Sequence, residues 1–260
     1  MVSMMPTMPT MPTMPTHHPP LTVGSLFSGI GGLDLGLERA GMQIVWQVEI
    51  DAYARRVLAR HWPDVTRFPD VRACGRHNLR PVDVLAGGFP CQPHSLAGKR
   101  QASADARELW SEFARLIRQL RPRYVLAENV PGIYSSEHGR FFGTVLRDLA
   151  SCGYDAEWQC LPASAFGAPH KRERVFVVAY PEGAGLAFRQ VFGPDAGAQL
   201  AAFQRDCGSW WATEPAVGRM ADGIPARVDR LRGLGNAVVP QVAEYIGRCI
   251  LAREDHRSIA

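Results

Sequence analysis

Lysine is almost missing from this chain of 260 residues: of its 29 basic residues 27 are arginine, and the two lysines are Lys99 and Lys171. Genome base composition explains such a bias, so no partner is read from it. No apolar run approaches the roughly 18 residues of a membrane span. The first residues also lack the basic start and the apolar core of a secretory signal, so a soluble, cytoplasmic protein is expected. Cysteine is sparse and scattered (Cys74, Cys91, Cys152, Cys160, Cys207, Cys249), with no CxxC pair, and reduced thiols are expected. Residues 1–20 lack Asp, Glu, Lys and Arg yet hold six of the eight methionines and six of the twenty prolines. Four Met-Pro-Thr triplets run from Met5 to Thr16. A proline at every third residue excludes helix, and so simple a run buries no core. We read residues 1–20 as a disordered tail.

The net charge of +4 is modest and unevenly placed: residues 21–180 carry 20 basic and 16 acidic groups, residues 181–260 nine of each. A polyanionic partner is compatible with that surplus but not predicted by it. From Leu21 onward, short apolar runs alternate with amphipathic stretches, the pattern of βαβ units, so an α/β fold with a largely parallel sheet is expected. Strands are predicted over Leu21–Ser28, Gln43–Glu49, Val82–Gly87, Arg123–Glu128, Trp158–Pro162 and Arg174–Ala179. Helical spacing links Leu109, Phe113, Leu116, Ile117 and Leu120, then Phe142, Val145, Leu146 and Leu149. A last helix follows Pro240, a residue suited to a first turn. Residues 182–217, rich in glycine and aromatics without a clear period, read as a small irregular module.

Four strand ends carry candidate chemistry. The first strand runs into Ser28-Gly29-Ile30-Gly31-Gly32 and then the apolar helix Leu33–Ala40, which places backbone at a helix N-terminus. A nucleotide-like cofactor is one reading, and a purely steric glycine turn is the other. About 20 residues on, Glu49 ends the next strand, where it either accepts from ribose hydroxyls or caps a helix. Cys91 lies beyond a buried strand in Gly87-Gly88-Phe89-Pro90-Cys91-Gln92-Pro93, a rigid turn suited to a nucleophile. Against this stand an inert buried thiol and a zinc site built from Cys74-x-x-His77 and Cys91-x-x-His94. Glu128-Asn129-Val130 brings a carboxylate to the same edge, and His170-Lys171-Arg172-Glu173-Arg174 precedes another strand. Taken alone, that basic cluster also fits a solvated loop.

Together these segments resemble the C5-cytosine DNA methyltransferase family. Phe27–Gly32 resembles its first motif, Gly88–Pro93 its nucleophile motif, and Glu128–Val130 its cytosine-binding motif. Lys171–Val175 resembles the basic motif and Gly233–Pro240 the last one. The matches occur in order from Leu21 to Gly247.

The resemblance implies a Rossmann-like sheet with helices on both faces and S-adenosyl-L-methionine as cofactor. It implies Cys91 as the nucleophile that adds to cytosine C6, Glu128 as the acid at N3, Asn129 as the residue orienting Glu128, and Arg172 and Arg174 as base-side groups, with Arg174 at the cytosine O2. Cofactor contacts are implied for Phe27, Gly29, Gly31, Glu49, Asp70, Pro90, Leu109, Asn236 and Val238. The partner implied is double-stranded DNA with its target base flipped out. Its contacts are expected from Ser95, Lys99, Arg100, Lys171 and Arg219, with Trp210 and Trp211 as candidates. The implied division is residues 21–181 for catalysis and cofactor, 182–232 for target recognition, and 233–260 packing back on the first part. A monomer bound to the nucleoid through DNA is expected, and a cognate restriction endonuclease is compatible with it. His170 departs from the glutamine common in the family, and the recognition region is short. Two rivals remain: a tRNA cytosine-5 methyltransferase of the same family, and a DNA-binding regulator without catalysis.

Overall fold

The computed structural model describes residues 19–90, 99–182, 191–192, 196–206 and 227–257. Most of the proline-rich tail, Cys91, Ser95, Trp210, Trp211 and Arg219 lie outside the described residues. The chain begins with β1 (Thr22–Leu26), α1 (Gly32–Arg39), β2 (Gln43–Val48), α2 (Ala52–His61), β3 (Thr66–Phe68) and β4 (Val84–Gly88). Then come α3 (Lys99–Leu120), β5 (Tyr124–Asn129), α4 (Arg140–Ser151), β6 (Tyr154–Pro162) and β7 (Glu173–Pro181). Three further helices follow, α5 (Ala196–Asp206), α6 (Arg227–Asn236) and α7 (Pro240–Arg257). Among the described residues, no helix is long and apolar enough to cross a membrane.

The strands form one sheet in the order β3-β2-β1-β4-β5-β7-β6. The expected α/β class with a Rossmann-like sheet holds. β1 to β5 run parallel, while β7 is antiparallel to both β5 and β6. Apolar residues alternate between the two faces, as the period of two in a strand requires. Leu26, Leu85 and Val125 face a layer built on Phe113, Leu116, Ile117, Val145 and Leu149 of α3 and α4. Val23, Val84 and Leu126 face the other, built on Leu33, Leu37, Leu58, Val242 and Ile246 of α1, α2 and α7. Each fully buried Leu, Ile or Val side chain contributes on the order of 1.5–3 kcal/mol, so these two layers hold the sheet between the helices.

Three expectations need correction. β3 was not foreseen, because a three-residue strand with exposed Thr66 carries no period. β6 begins at Tyr154 rather than Trp158: it pairs only with β7, so polar Asp155 and Glu157 are tolerated along its length. Residues 182–217 are not irregular throughout, since α5 buries Phe203 against Phe166 at 5.9 Å and Tyr245 at 5.7 Å between ring centroids. That helix belongs to the second core layer.

Candidate active site

The strand order reverses between β1 and β4, which opens a crevice at their carboxyl ends, where open α/β sheets hold ligands. A cavity of about 840 Å³ lies there. Its walls include Phe27, Gly29, Glu49, Asp70, Pro90, Leu109, Asn236 and Val238, together with Glu128, Asn129 and Arg174. Eight of the nine residues expected to touch a cofactor therefore share one cavity with three of the five expected to serve catalysis.

The glycine-rich turn is held in a demanding conformation, with Phe27 at φ 52° and Gly29 at φ 56°. Glu49 fixes it from the neighbouring strand. Its Oε2 accepts from the Gly29 N–H and its Oε1 from the Asp51 N–H, each at 2.7 Å. A carboxylate has about four acceptor positions, so both oxygens keep capacity toward the cavity. Asp51 caps α2 by accepting from the Ala54 N–H at 2.8 Å, and its other oxygen accepts from Arg232 of α6 at 2.7 Å. Asp70 similarly caps a short turn through the Arg72 N–H at 3.0 Å.

Gly31, between Ile30 and Gly32 of the cavity wall, is not itself part of that wall. It sits at φ 87°, and a Cβ there would lie 2.5 Å from the Trp62 ring. Its glycine is required by the turn and by its close packing on Trp62.

Phe89, 3 % exposed, carries the chain from β4 to Pro90 and Cys91. Its ring packs on Trp110 at 5.0 Å and Phe141 at 6.3 Å. Its carbonyl accepts from Asn129 Nδ2 at 2.9 Å, and Asn129 Oδ1 accepts from the Val130 N–H at 2.8 Å. Both of those hydrogen bonds run to backbone, so the expectation that Asn129 orients Glu128 needs correction. Asn129 instead ties the end of β5 to Phe89, just beyond β4.

Glu128 is 8 % exposed. Burial raises its pKa from 4.5 to about 7 against the pull of Arg174 and Arg172. Arg174 Nε lies 3.0 Å from Glu128 Oε1. Gly88 stands beside Glu128 in the β4–β5 pairing, and a Cβ on it would fall 2.5 Å from Glu128 Oε2. A glycine at this position is what lets the carboxyl group lie across the strand end.

Arg172, expected among the base-side groups, is absent from the cavity wall. Its Nη2 donates to the carbonyls of Gly235 and Ala237, both at 2.6 Å, and so clasps the segment that presents Asn236. Lys171 is exposed on the loop before β7, and Lys99 and Arg100 open α3. The zinc reading gains nothing from Cys74. Its thiol is buried, donates to the Asp70 carbonyl at 3.3 Å, and is pushed up to about 11 by burial. Among the described residues, no group of three or more His, Cys, Asp or Glu side chains could hold a metal ion.

Several wall residues were not foreseen: Ile50, Tyr53, Val71, Asp229 and Arg232. Ile50 lies between Glu49 and Asp51 and is 70 % exposed, an exposure the sequence alone does not encode. Helix α6 carried no sequence signal either, being rich in arginine and glycine with little apolar period.

The fold and the site thus define a Rossmann-like protein with a nucleotide-sized cavity that continues into a carboxyl–guanidinium pair. The profile of the C-5 cytosine-specific DNA methylase family matches residues 21–196. The chain belongs to this family. It is 41% identical over 162 residues to the type II methyltransferase M.Eco47II of Escherichia coli, covering 61% of this chain and 39% of that protein. It is 37% identical over 158 residues to M.NgoBI of Neisseria gonorrhoeae, covering 60% and 50%. Among solved structures, it resembles a prophage-encoded protein of E. coli described as a DNA modification methyltransferase, with TM-score 0.54 and 33% identity over 62% of this chain and 47% of the other. DNMT2 of Spodoptera frugiperda is similar at TM-score 0.50 and 26% identity, covering 65% and 53%. The matched part thus spans 39% to 50% of the length of these two curated relatives.

Proposed function

We propose that the protein transfers a methyl group from S-adenosyl-L-methionine to C5 of a flipped-out cytosine in double-stranded DNA. The observation that carries this reading is the continuity of one cavity from Glu49 and Asp70 to the Glu128–Arg174 pair. The donor set fits the cofactor. Acidic Glu49 and Asp70 can accept from ribose and adenine groups, Ile50 and Val71 are apolar, and about 840 Å³ lies within the usual range for such a ligand. When bound, the cofactor supplies an electrophilic sulfonium methyl.

The residues of the chain supply the rest. Cytosine C5 is a poor nucleophile until a thiolate adds to C6, the role we assign to Cys91; after methyl transfer a base takes the C5 proton, the C5–C6 double bond re-forms and the thiolate leaves C6. Electrons pushed into the ring are stabilised by a proton at N3. Glu128, with its pKa raised to about 7, keeps a proton to give near neutral pH. Arg174 donates toward O2 and holds Glu128 in place. Arg172 keeps Asn236 and Val238 against the cofactor. Ser95, Lys99, Arg100, Lys171 and Arg219 are assigned to the DNA backbone, and residues 182–232 to target choice. We assign the protein to the cytoplasm, bound to the nucleoid as a monomer, with a restriction endonuclease of the same target as its natural partner.

Bisulfite sequencing of DNA from a host expressing the protein, beside one expressing Cys91→Ser, tests the proposal. New 5-methylcytosine is expected with the native chain alone. Its absence from both hosts refutes the proposal.

A further inference from the structure

Asp34 is a buried acid that the proposed chemistry leaves unused. It is 0 % exposed and lies in the first turn of α1, just after the glycine-rich turn. Its Oδ1 accepts from Ser25 Oγ at 2.5 Å and its Oδ2 from Gln47 Nε2 at 2.7 Å. Ser25 Oγ also lies 2.8 Å from Ser28 Oγ, and Ser28 lines the cavity. A hydroxyl has one hydrogen. Since Ser25 gives its own to Asp34, the contact between the two hydroxyls can only run from Ser28, whose single hydrogen also has the Ser25 carbonyl at 3.2 Å and the Val48 carbonyl at 3.5 Å as acceptors. The two serines thus connect the buried carboxyl group to the cavity wall.

Burial raises Asp34 from 3.8 to about 6, so the carboxyl group is ionised at pH 8. Among the described residues no cationic side chain pulls its pKa down, and Glu38, one turn further along α1, pushes it up. A buried anion without a cation is costly. This one stands where the N-terminus of α1 turns about half a positive charge toward the cavity. Glycine-rich turns at helix N-termini ordinarily attract anions such as phosphate for that reason. Here a negative charge is built in beneath the turn and offsets the helix.

We propose that Asp34 determines specificity for the methyl donor: its buried charge makes the cavity favour the sulfonium cation over the neutral thioether that remains after transfer. The inference rests on the reading that this cavity takes S-adenosyl-L-methionine. It assigns Asp34 a part in product release, since the preference is lost once the sulfonium becomes a thioether.

The test is calorimetric titration of the full chain at pH 8, native and Asp34→Asn, with S-adenosyl-L-methionine and with S-adenosyl-L-homocysteine. The substitution is expected to weaken the sulfonium ligand about tenfold, or about 1.4 kcal/mol, and to leave the thioether within about twofold. Gln47 Oε1 is buried without a hydrogen-bond partner. If the Gln47 amide turns over, an asparagine at 34 can donate to that oxygen, so the variant keeps its contacts while losing the charge. Its thermal unfolding temperature is therefore expected to hold or rise, a result that a merely structural role for Asp34 would not give. Asp34→Ser, which keeps an acceptor for Ser25, serves if Asp34→Asn does not accumulate. An unchanged ratio of the two affinities overturns the inference and leaves the cofactor reading standing. Failure of the native chain to bind either ligand overturns both.

Discussion

Gly88→Ala isolates the geometry of the base-side acid from its chemistry. Gly88 lies on β4, fixed by pairing with Glu128 of β5, so its backbone has little room to retreat. A Cβ at this position would stand 2.5 Å from Glu128 Oε2, 3.7 Å from its Cδ and 3.9 Å from its Cβ. Only the tip of the side chain is too close. Ordinary contact requires about 3.5 Å, so the carboxyl group must move by about 1 Å, away from the position in which Arg174 holds it at 3.0 Å. Misplacing a catalytic group by that distance costs on the order of 10²-fold in rate. Stability should hardly change, because the displaced atom ends a flexible side chain and Gly→Ala itself lowers unfolded-state entropy by about 0.4–1 kcal/mol. Single-turnover transfer of a labelled methyl group to duplex DNA should therefore slow about 100-fold, with cofactor affinity within about twofold and the unfolding midpoint within a few degrees. Shortening the acid should relieve the contact, so Gly88→Ala combined with Glu128→Asp should be little slower than Glu128→Asp alone, a non-additive pair. A folded Gly88→Ala protein with native turnover would refute the placement of Glu128 at the reacting base.

Glu128→Gln should reduce methyl transfer by about 10²- to 10⁴-fold, the range of general-acid contributions, while raising the unfolding midpoint at pH 8. The sign follows from the raised pKa: between 4.5 and about 7 the native state keeps a proton that the unfolded chain has lost, so native stability falls as pH rises through that window. The full shift is worth at most about 3 kcal/mol, and thermal unfolding from pH 5 to 8 should show the native chain losing stability that the glutamine variant retains. Arg172→Met keeps the aliphatic stem but releases the carbonyls of Gly235 and Ala237. Charge-assisted hydrogen bonds of this kind contribute about 1.5–3 kcal/mol each where buried. For this half-exposed clasp we expect about a tenfold loss of cofactor affinity by titration, and unchanged affinity would remove Arg172 from the cofactor wall.

The α/β class was legible because every central strand is a short apolar run and every covering helix in the first half carries a stripe of period 3.6. Val175–Ala179 shows the limit. All five residues are buried, so the run states that a strand is central but not which way it points. The glycine-rich turn, Glu49 and Glu128 were legible as site residues because each closes a strand at the same edge. Asn129 was legible as a position and misread as a role, since its partner is a backbone carbonyl 40 residues away and no spacing encodes that bond. Asp34, set between Leu33 and Leu35 near a helix start, looks like an ordinary exposed acid that favours the helix dipole; only burial distinguishes it.

The reversal of β7 explains how the Glu128–Arg174 pair is assembled. In a wholly parallel sheet, each strand begins at the edge opposite the ligand crevice, and the loop entering it is remote from the chemistry. Because β7 runs antiparallel to β5, with Asn129 opposite Val175 and Glu128 opposite Phe176, its first residues meet the last residues of β5. Arg174 therefore reaches Glu128, and Arg172, two residues earlier, reaches the chain segment just before α7. Two residues of one strand entry thus reach both Glu128 and the cavity-wall segment that carries Asn236. A shift at either end of that strand would be felt by both, so cofactor affinity and turnover should be coupled in substitutions at residues 171–175 and separable in those of the glycine-rich turn.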